Sequence, residues 1–94
     1  MYVSVVRFID VNAERLEELL ARIRDSDGPP EGIPTSGLRV LFDEDQGTAV
    51  VEQLFETAED MEIGGRAFSA MDSAETPGAR TSVDVCELKL EMKA

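Results

Sequence analysis

Arg7 is the side chain best suited to binding or catalysis, because it is a cation in the middle of an apolar strand. The stretch Tyr2–Ile9 is β-branched and aromatic, which predicts a strand, and we expect the Arg7 side of it to face the helices. A guanidinium there could bind an enolate, a carboxylate or a phenolate. The alternative, which we prefer, is an ion pair with Glu52 or Glu87 on neighbouring strands, since buried charges are normally paired.

Other polar side chains are weaker candidates. Glu52 and Glu87 could act as general bases, although pairing partners or solvated strand ends are commoner roles for such residues. Gln53 could orient a ligand oxygen, and Phe68 could contact the ligand, with a place in the core as its simpler role. Tyr2 could donate a hydrogen bond, but packing is the simpler interpretation.

Several chemistries are excluded by the residues that the sequence lacks. It contains no histidine, which rules out imidazole acid–base catalysis and histidine ligation of zinc or haem. The single cysteine, Cys86, cannot form an internal disulfide. Asp43, Glu44 and Asp45 are typical of a hairpin turn and lack the spacing of a calcium loop. We therefore expect no metal site and no cofactor; haem ligation through Tyr2 or Cys86 is the exception to be tested.

The charge balance limits the partners. Asp and Glu number 20 against 9 Lys and Arg, a net charge of −11, so the surface should repel nucleic acid and anionic membranes. No apolar run approaches the ~20 residues that span a bilayer, and the first residues lack a basic signal-peptide region. We expect a cytoplasmic protein.

The elements that must position these residues follow from periodicity. Strands are predicted at residues 2–9, 37–43, 48–56 and 81–92, and helices at 13–24 and from 57 to about 71. Asn12 and Thr57 are the expected N-caps. Gly64 and Gly65 weaken the second helix by roughly 1 kcal/mol each, in return for a close approach to the sheet. This order predicts an α+β, ferredoxin-like β-α-β-β-α-β fold with an antiparallel four-stranded sheet, in a single domain of residues 1–94.

The strands are apolar on both sides, which predicts a homodimer through the sheet face without helices. A solvated face would alternate with polar residues, and an uncovered face of on the order of 400 Å² is large for a monomer. We expect Phe8 or Phe55 on this interface. In the last strand the apolar positions change sides after Val85, which indicates a bulge or a strand end buried on its opposite side.

Residues 51–60, a strand running into the helix start Thr57-Ala58-Glu59-Asp60, and residues 81–88 resemble the dimeric α/β-barrel superfamily. Within it the chain is similar to the antibiotic biosynthesis monooxygenases and their haem-degrading relatives. The resemblance implies cofactor-independent oxygenation of a small aromatic or polyketide-like molecule. Relatives carry an amide where Arg7 stands, and the haem-degrading ones a Trp near Gly64 and a His without counterpart here.

Two further functions remain open beside such an enzyme. One is a non-catalytic dimer that binds a small aromatic anion for regulation, and the other is a purely structural dimer. The polarity of the pocket discriminates the first two, because an enzyme needs an unpaired base beside the ligand and a sensor needs only orienting groups.

Overall fold

The computed structural model describes residues 1–25, 33–69 and 76–94. Its elements are β1 (Tyr2–Ile9), α1 (Ala13–Asp25), β2 (Gly37–Asp43), β3 (Thr48–Phe55), α2 (Ala58–Ser69) and β4 (Ala79–Glu87). The predicted element order and ferredoxin-like fold are confirmed. The last strand begins two residues before its predicted start and ends at Glu87, well before residue 92. The predicted end of the second helix, near residue 71, and parts of both predicted long loops lie outside the described residues.

Both predicted N-caps are confirmed. The Asn12 side-chain oxygen accepts hydrogen bonds from the backbone N–H groups of Glu14 (2.8 Å) and Arg15 (3.3 Å). At α2, the Thr57 hydroxyl accepts one from the Asp60 N–H at 3.0 Å. These bonds satisfy amides that have no partner inside the helix, so each helix begins where its capping side chain stands.

The sheet has the order β2-β3-β1-β4, and every neighbouring pair is antiparallel. The connections β1–α1–β2 and β3–α2–β4 therefore join parallel strands and run across the sheet in opposite directions. Because such connections are right-handed, both place their helices on the same side of the sheet. In agreement, α2 packs against the two central strands, β1 and β3.

The helices cover the side of the sheet opposite to the one expected. Phe55 lies under α2 and is 0% exposed, and the register pairs it with Tyr2 and pairs Val51 with Val6. The even-numbered residues of β1 therefore face the helices, and Arg7 does not. We call this side the helix face; it comprises Tyr2, Ser4, Val6, Phe8, Leu38, Val40, Phe42, Ala49, Val51, Gln53, Phe55, Val83, Val85 and Glu87.

The other side, called the open face, comprises Val3, Val5, Arg7, Ile9, Gly37, Arg39, Leu41, Asp43, Thr48, Val50, Glu52, Leu54, Ser82, Asp84 and Cys86. The expectation that Phe8 or Phe55 lies on an open interface was wrong for both, since each is at most 1% exposed on the helix face. The physical reason is size: the two aromatic rings fill the space under the helices, while smaller β-branched side chains suffice on the other side.

The irregularity of β4 lies at Thr81, near the start of the strand. Arg7 pairs with Ser82 and Phe8 with Arg80, so Thr81 is an extra residue, and from Ser82 to Glu87 the register is regular. A bulge after Val85, which was one of the two explanations for the change of sides there, is therefore wrong. Cys86 simply lies on the open face, where it is paired with Val3.

Gly64 allows α2 to approach the sheet as predicted. A Cβ at this position would lie 2.6 Å from two ring carbons of Phe55, far inside ordinary contact distance. Gly65 is different, because a Cβ there would meet nothing within 4 Å. The first glycine is required by packing, and the second leaves open space beside the helix.

The acidic cluster belongs to the β2–β3 turn at residues 44–47. The Asp43 carboxylate accepts hydrogen bonds from the Gln46 backbone N–H (3.2 Å) and side-chain amide (2.9 Å), and Gly47 has a positive φ of 65°. The Asp43 carboxylate therefore stabilises the turn. Among the described residues, no helix is long and apolar enough to cross a membrane.

Candidate functional site

Two polar side chains interrupt the apolar helix face at its centre. Ser4 of β1 and Gln53 of β3 are directly opposite each other in the register, and they are 4% and 8% exposed. Neither side chain hydrogen-bonds to another described residue, although a buried amide or hydroxyl without a partner is costly. No side-chain nitrogen or oxygen of the described residues is both fully buried and unpartnered. The polar atoms of Ser4 and Gln53 are therefore not fully shielded from solvent.

A cleft of about 330 Å³ lies between α2 and β4. Its described lining consists of Gly65, Arg80, Thr81, Ser82 and Val83. The cleft exists because α2 packs over β1 and β3 and leaves the edge strand β4 uncovered, so that Val83 is 48% exposed and Val85 64% exposed. Because Gly65 has no side chain, α2 leaves open space on its side of the cleft.

The cleft and the polar pair are adjacent on the helix face. Val85 pairs with Ser4, and Val83, which lines the cleft, is two residues away on the same strand. At 3.3–3.4 Å per residue, this separation is about 7 Å. Gln53 lies a further two strand spacings across the sheet from Val85, about 10 Å, because β1 stands between β4 and β3. Phe68 belongs to α2, but its side chain lies outside the described residues.

Tyr2 and Glu87 form the next row of the helix face, beside the polar pair. They are cross-strand partners, and Tyr2 also pairs with Phe55. Glu87 lies 3.2 Å from the Lys89 ammonium, and its side chain is 54% exposed. The structure thus brings Gln53, Glu87 and Tyr2 to one side of the sheet, and Glu87 is ion-paired there.

Arg7 and Glu52 are separated from this group, because both lie on the open face. The predicted salt bridge from Arg7 to Glu52 or Glu87 is absent among the described residues. Glu52 instead accepts from the Arg39 Nε at 3.1 Å, directly across from it on β2. The prediction was wrong because it rested on which side of β1 faces the helices. Arg7 is exposed, so no burial cost required a partner within the chain.

The cation that does line the cleft is Arg80, which the sequence analysis did not single out. Ser4 and Gly65 were also missed as site residues. Ser4 carried a recognisable signal, as a small polar residue inside an otherwise apolar strand that also contains Arg7. Arg80 carried none, because its place depends on the bulge at Thr81.

A second cleft of about 340 Å³ lies between residues 33–34 and α2, lined by Ile33, Pro34, Asp60 and Ile63. Neither cleft has Ser4 or Gln53 in its described lining. The walls of this second cleft are apolar apart from one carboxylate, whereas the cleft beside β4 includes a cation, Arg80, and two hydroxyl-bearing residues. The cleft beside β4 is therefore the better candidate.

Solved structures share this architecture. A point mutant of MhuD, crystallised with two manganese protoporphyrin IX molecules bound per active site, matches with a TM-score of 0.58 and 20% identity, over 98% of this chain and 99% of that one. A protein from Deinococcus radiodurans, described as a candidate antibiotic biosynthesis monooxygenase, matches with a TM-score of 0.54 and 17% identity, over 100% and 98% of the two chains. The chain therefore shares the fold of these two structures. No protein-family model and no curated protein matches the sequence.

The described lining of the cleft beside β4 does not fit an axially ligated haem. None of its described lining residues, Gly65, Arg80, Thr81, Ser82 and Val83, carries an imidazole, thiolate, thioether or phenol. Cys86 lies on the open face, and Tyr2 lies at the far end of the helix face from Arg80. No group of three or more potential metal-ligating side chains occurs within the described ranges 1–25, 33–69 and 76–94.

Proposed function

We propose that the protein binds a small, flat, oxygen-bearing molecule of aromatic or polyketide type between α2 and the sheet, and oxygenates it without a bound cofactor. The observation that carries this proposal is the pair Ser4–Gln53, buried side by side on the helix face with no hydrogen-bond partner among the described residues. A ligand oxygen supplies the partner that these groups lack.

The chemistry of the pair suits a phenolate or enolate. The Gln53 amide can donate two hydrogen bonds and the Ser4 hydroxyl one, so together they can stabilise an oxyanion in a water-poor site. Arg80, at the cleft, adds positive charge along the path of an anionic ligand. The apolar ring system would lie on Val83 and Val85, whose exposed area it would bury.

The proposed reaction needs no redox group from the protein. An oxyanion conjugated to a neighbouring CH₂ group makes that carbon electron-rich, and its reaction with O₂ converts CH₂ into C=O and releases one water. The two C–H bonds of the substrate supply the four electrons that reduce O₂, one oxygen atom becoming the carbonyl oxygen and the other water. In this scheme Gln53 and Ser4 hold the substrate oxygen and are positioning groups.

One observation favours a non-catalytic binding module as the second candidate. The carboxylate on the helix face, Glu87, is half exposed and already paired with Lys89 at 3.2 Å, so it is a poor general base. A sensor that only binds the same molecule would need the orienting pair and no base.

We also propose that the molecule is a homodimer in which two open faces pack together. Half-buried Val5, Val50 and Leu54 and exposed Ile9 and Leu41 make this face apolar over several strands. Light scattering at micromolar concentration should give twice 10.3 kDa, and the monomer mass would refute the dimer.

The binding proposal is tested with 1,8-dihydroxyanthrone and 2-naphthol as probes, using thermal shift and an oxygen electrode. The informative variant is Gln53→Leu, which removes the amide without leaving a cavity and should not destabilise the fold, because the amide has no hydrogen-bond partner among the described residues. Gln46→Leu, in the exposed β2–β3 turn, is the matched control. We expect the ligand-induced shift in the wild type and in Gln46→Leu and its loss in Gln53→Leu.

The two assays also separate the two functions. Oxygen uptake in step with quinone formation from the anthrone would establish the enzyme, once the uncatalysed rate is subtracted. A thermal shift without oxygen uptake would support the second candidate function, a non-catalytic binding module. Equal shifts in Gln53→Leu and the wild type would refute the proposed site.

A further inference from the structure

The second cleft, between α2 and the segment that leads into β2, has hydrogen-bonded walls. The Ser36 N–H and the Thr35 hydroxyl both donate to the Leu54 carbonyl, at 2.7 and 2.8 Å, which holds this segment against the end of β3. Ile33 extends from the segment to α2, because its Cγ2 atom is 3.7 Å from the place that a Cβ of Gly64 would take. The cleft of about 340 Å³ therefore lies between two supported elements, a turn and a helix.

One side of α2 supplies both an apolar and an acidic part of the lining. Ile63 and Gly64 follow Asp60 by three and four residues, so all three lie on the same side of the helix, the side that meets Ile33. Ile33, Pro34 and Ile63 make the cleft apolar, and Ile63 is 36% exposed. The half-buried Asp60 adds a carboxylate to these apolar walls.

The Asp60 carboxylate has no partner in the part of the chain that the structure describes. The Asp60 backbone N–H donates to the Thr57 hydroxyl, but the carboxylate itself accepts no hydrogen bond and forms no ion pair there. Beside apolar side chains it loses hydration without compensation. An organic cation supplies the compensation, because its charged group pairs with Asp60 while its hydrocarbon part covers the isoleucines.

The charge around the start of α2 also favours a cation. Glu59 and Asp60 place two negative charges in the first turn, in a chain whose net charge is −11. The positive end of the helix dipole, equivalent to about half a charge, opposes a cation here and is outweighed by these carboxylates. The cleft beside β4 is lined instead by Arg80, so the two clefts favour ligands of opposite charge.

We propose that the second cleft binds a small organic ammonium ion, with its charged nitrogen at Asp60 and its hydrocarbon part against Ile33 and Ile63. The volume of the cleft is near the lower end of the roughly 300–1,000 Å³ of ligand pockets, which suits a molecule of one or two rings. This site is separate from the one proposed at Ser4 and Gln53, and either can fail without the other.

The probe is 2-naphthylmethylammonium, titrated with the intact protein and followed by fluorescence anisotropy. Its neutral isostere, 2-naphthalenemethanol, has the same rings without the charge. We expect saturable binding of the ammonium ion and at least roughly tenfold weaker binding of the alcohol, because a hydrogen bond to a charged group is worth at least about that factor.

Asp60→Asn removes the charge and keeps the size of the side chain. Glu59→Gln removes the same charge from an exposed position in the same helical turn and is the matched control. Asp60→Asn should weaken binding of the ammonium ion at least roughly tenfold, and Glu59→Gln should leave it near the wild-type value. Ile63→Ser removes an apolar wall without changing any charge and should also weaken binding. Circular dichroism verifies that each variant is folded.

Three results would overturn the proposal. One is equal affinity for the ammonium ion and the alcohol, and another is an equal effect of Asp60→Asn and Glu59→Gln. The third is binding that is lost in Gln53→Leu and intact in Asp60→Asn, since the probe would then occupy the site on the helix face. Amide NMR shifts on titration should centre on Ile33 and Ile63, and shifts confined to other residues would likewise refute the site.

Discussion

The two adjacent glycines of α2 provide a sharp test of the packing, because the same change should have opposite effects at the two positions. Alanine is favoured over glycine in a helix by about 1 kcal/mol at either site. At Gly64 the new Cβ would lie 2.6 Å from two ring carbons of Phe55, which is fully buried and cannot step aside. Overpacking of this kind costs about 1–3 kcal/mol. At Gly65 the Cβ would meet nothing within 4 Å.

The expected result follows by subtraction. Gly65→Ala should raise the free energy of unfolding by up to about 1 kcal/mol. Gly64→Ala should lower it by up to about 2 kcal/mol, since overpacking outweighs the helix gain. Because the helix term is common to both variants, the difference between them reports the overpacking alone, about 1–3 kcal/mol.

Urea unfolding at one protein concentration measures this difference and keeps any dimer linkage equal between the variants. Thermal midpoints give a second measure, at about 4–8 °C per kcal/mol for a domain of this size. Equal stability of the two variants would refute the close approach of α2 to Phe55. A Phe55→Leu background should relieve part of the cost of Gly64→Ala, as the shared contact requires.

The remaining predictions concern the cap, the core and haem. Asn12→Ala should lower the free energy of unfolding by about 1 kcal/mol, because two N–H groups lose their acceptor. Denaturant unfolding measures this change, and an unchanged free energy of unfolding would contradict the prediction. Phe8→Ala should cost about 3–5 kcal/mol, since the ring is in the core of the helix face; a folded but merely monomeric variant would place Phe8 at an interface after all. Haemin titration should give no saturable one-to-one Soret shift, and a shift that vanished in Tyr2→Phe or Cys86→Ser would overturn this expectation.

Local interactions determined the elements, and the amino-acid sequence was sufficient to predict them. Asn12 and Thr57 cap helices through bonds that span two or three residues, so the helix starts could be read directly. The apolar periodicity of the strands and helices likewise predicted their order, and that order with right-handed connections predicts a ferredoxin-like sheet. A close approach of the second helix to the sheet was also predicted from Gly64 and Gly65 together, and the structure assigns it to Gly64.

Only the tertiary structure decided which side of the sheet faces the helices. Both sides of β1 are apolar, so alternation could not assign Arg7, and the outcome depended on whether Phe8 and Phe55 or the valines opposite them fitted under α2. That choice also decided which residues lie at the candidate site. Once the aromatic rings lay under the helices, Gln53 and Ser4 came to the helix face, and Arg7 and Glu52 went to the open face. A strand exchanges all its side chains between two faces at once, because its period is two residues, and long-range packing is the interaction that selects between them.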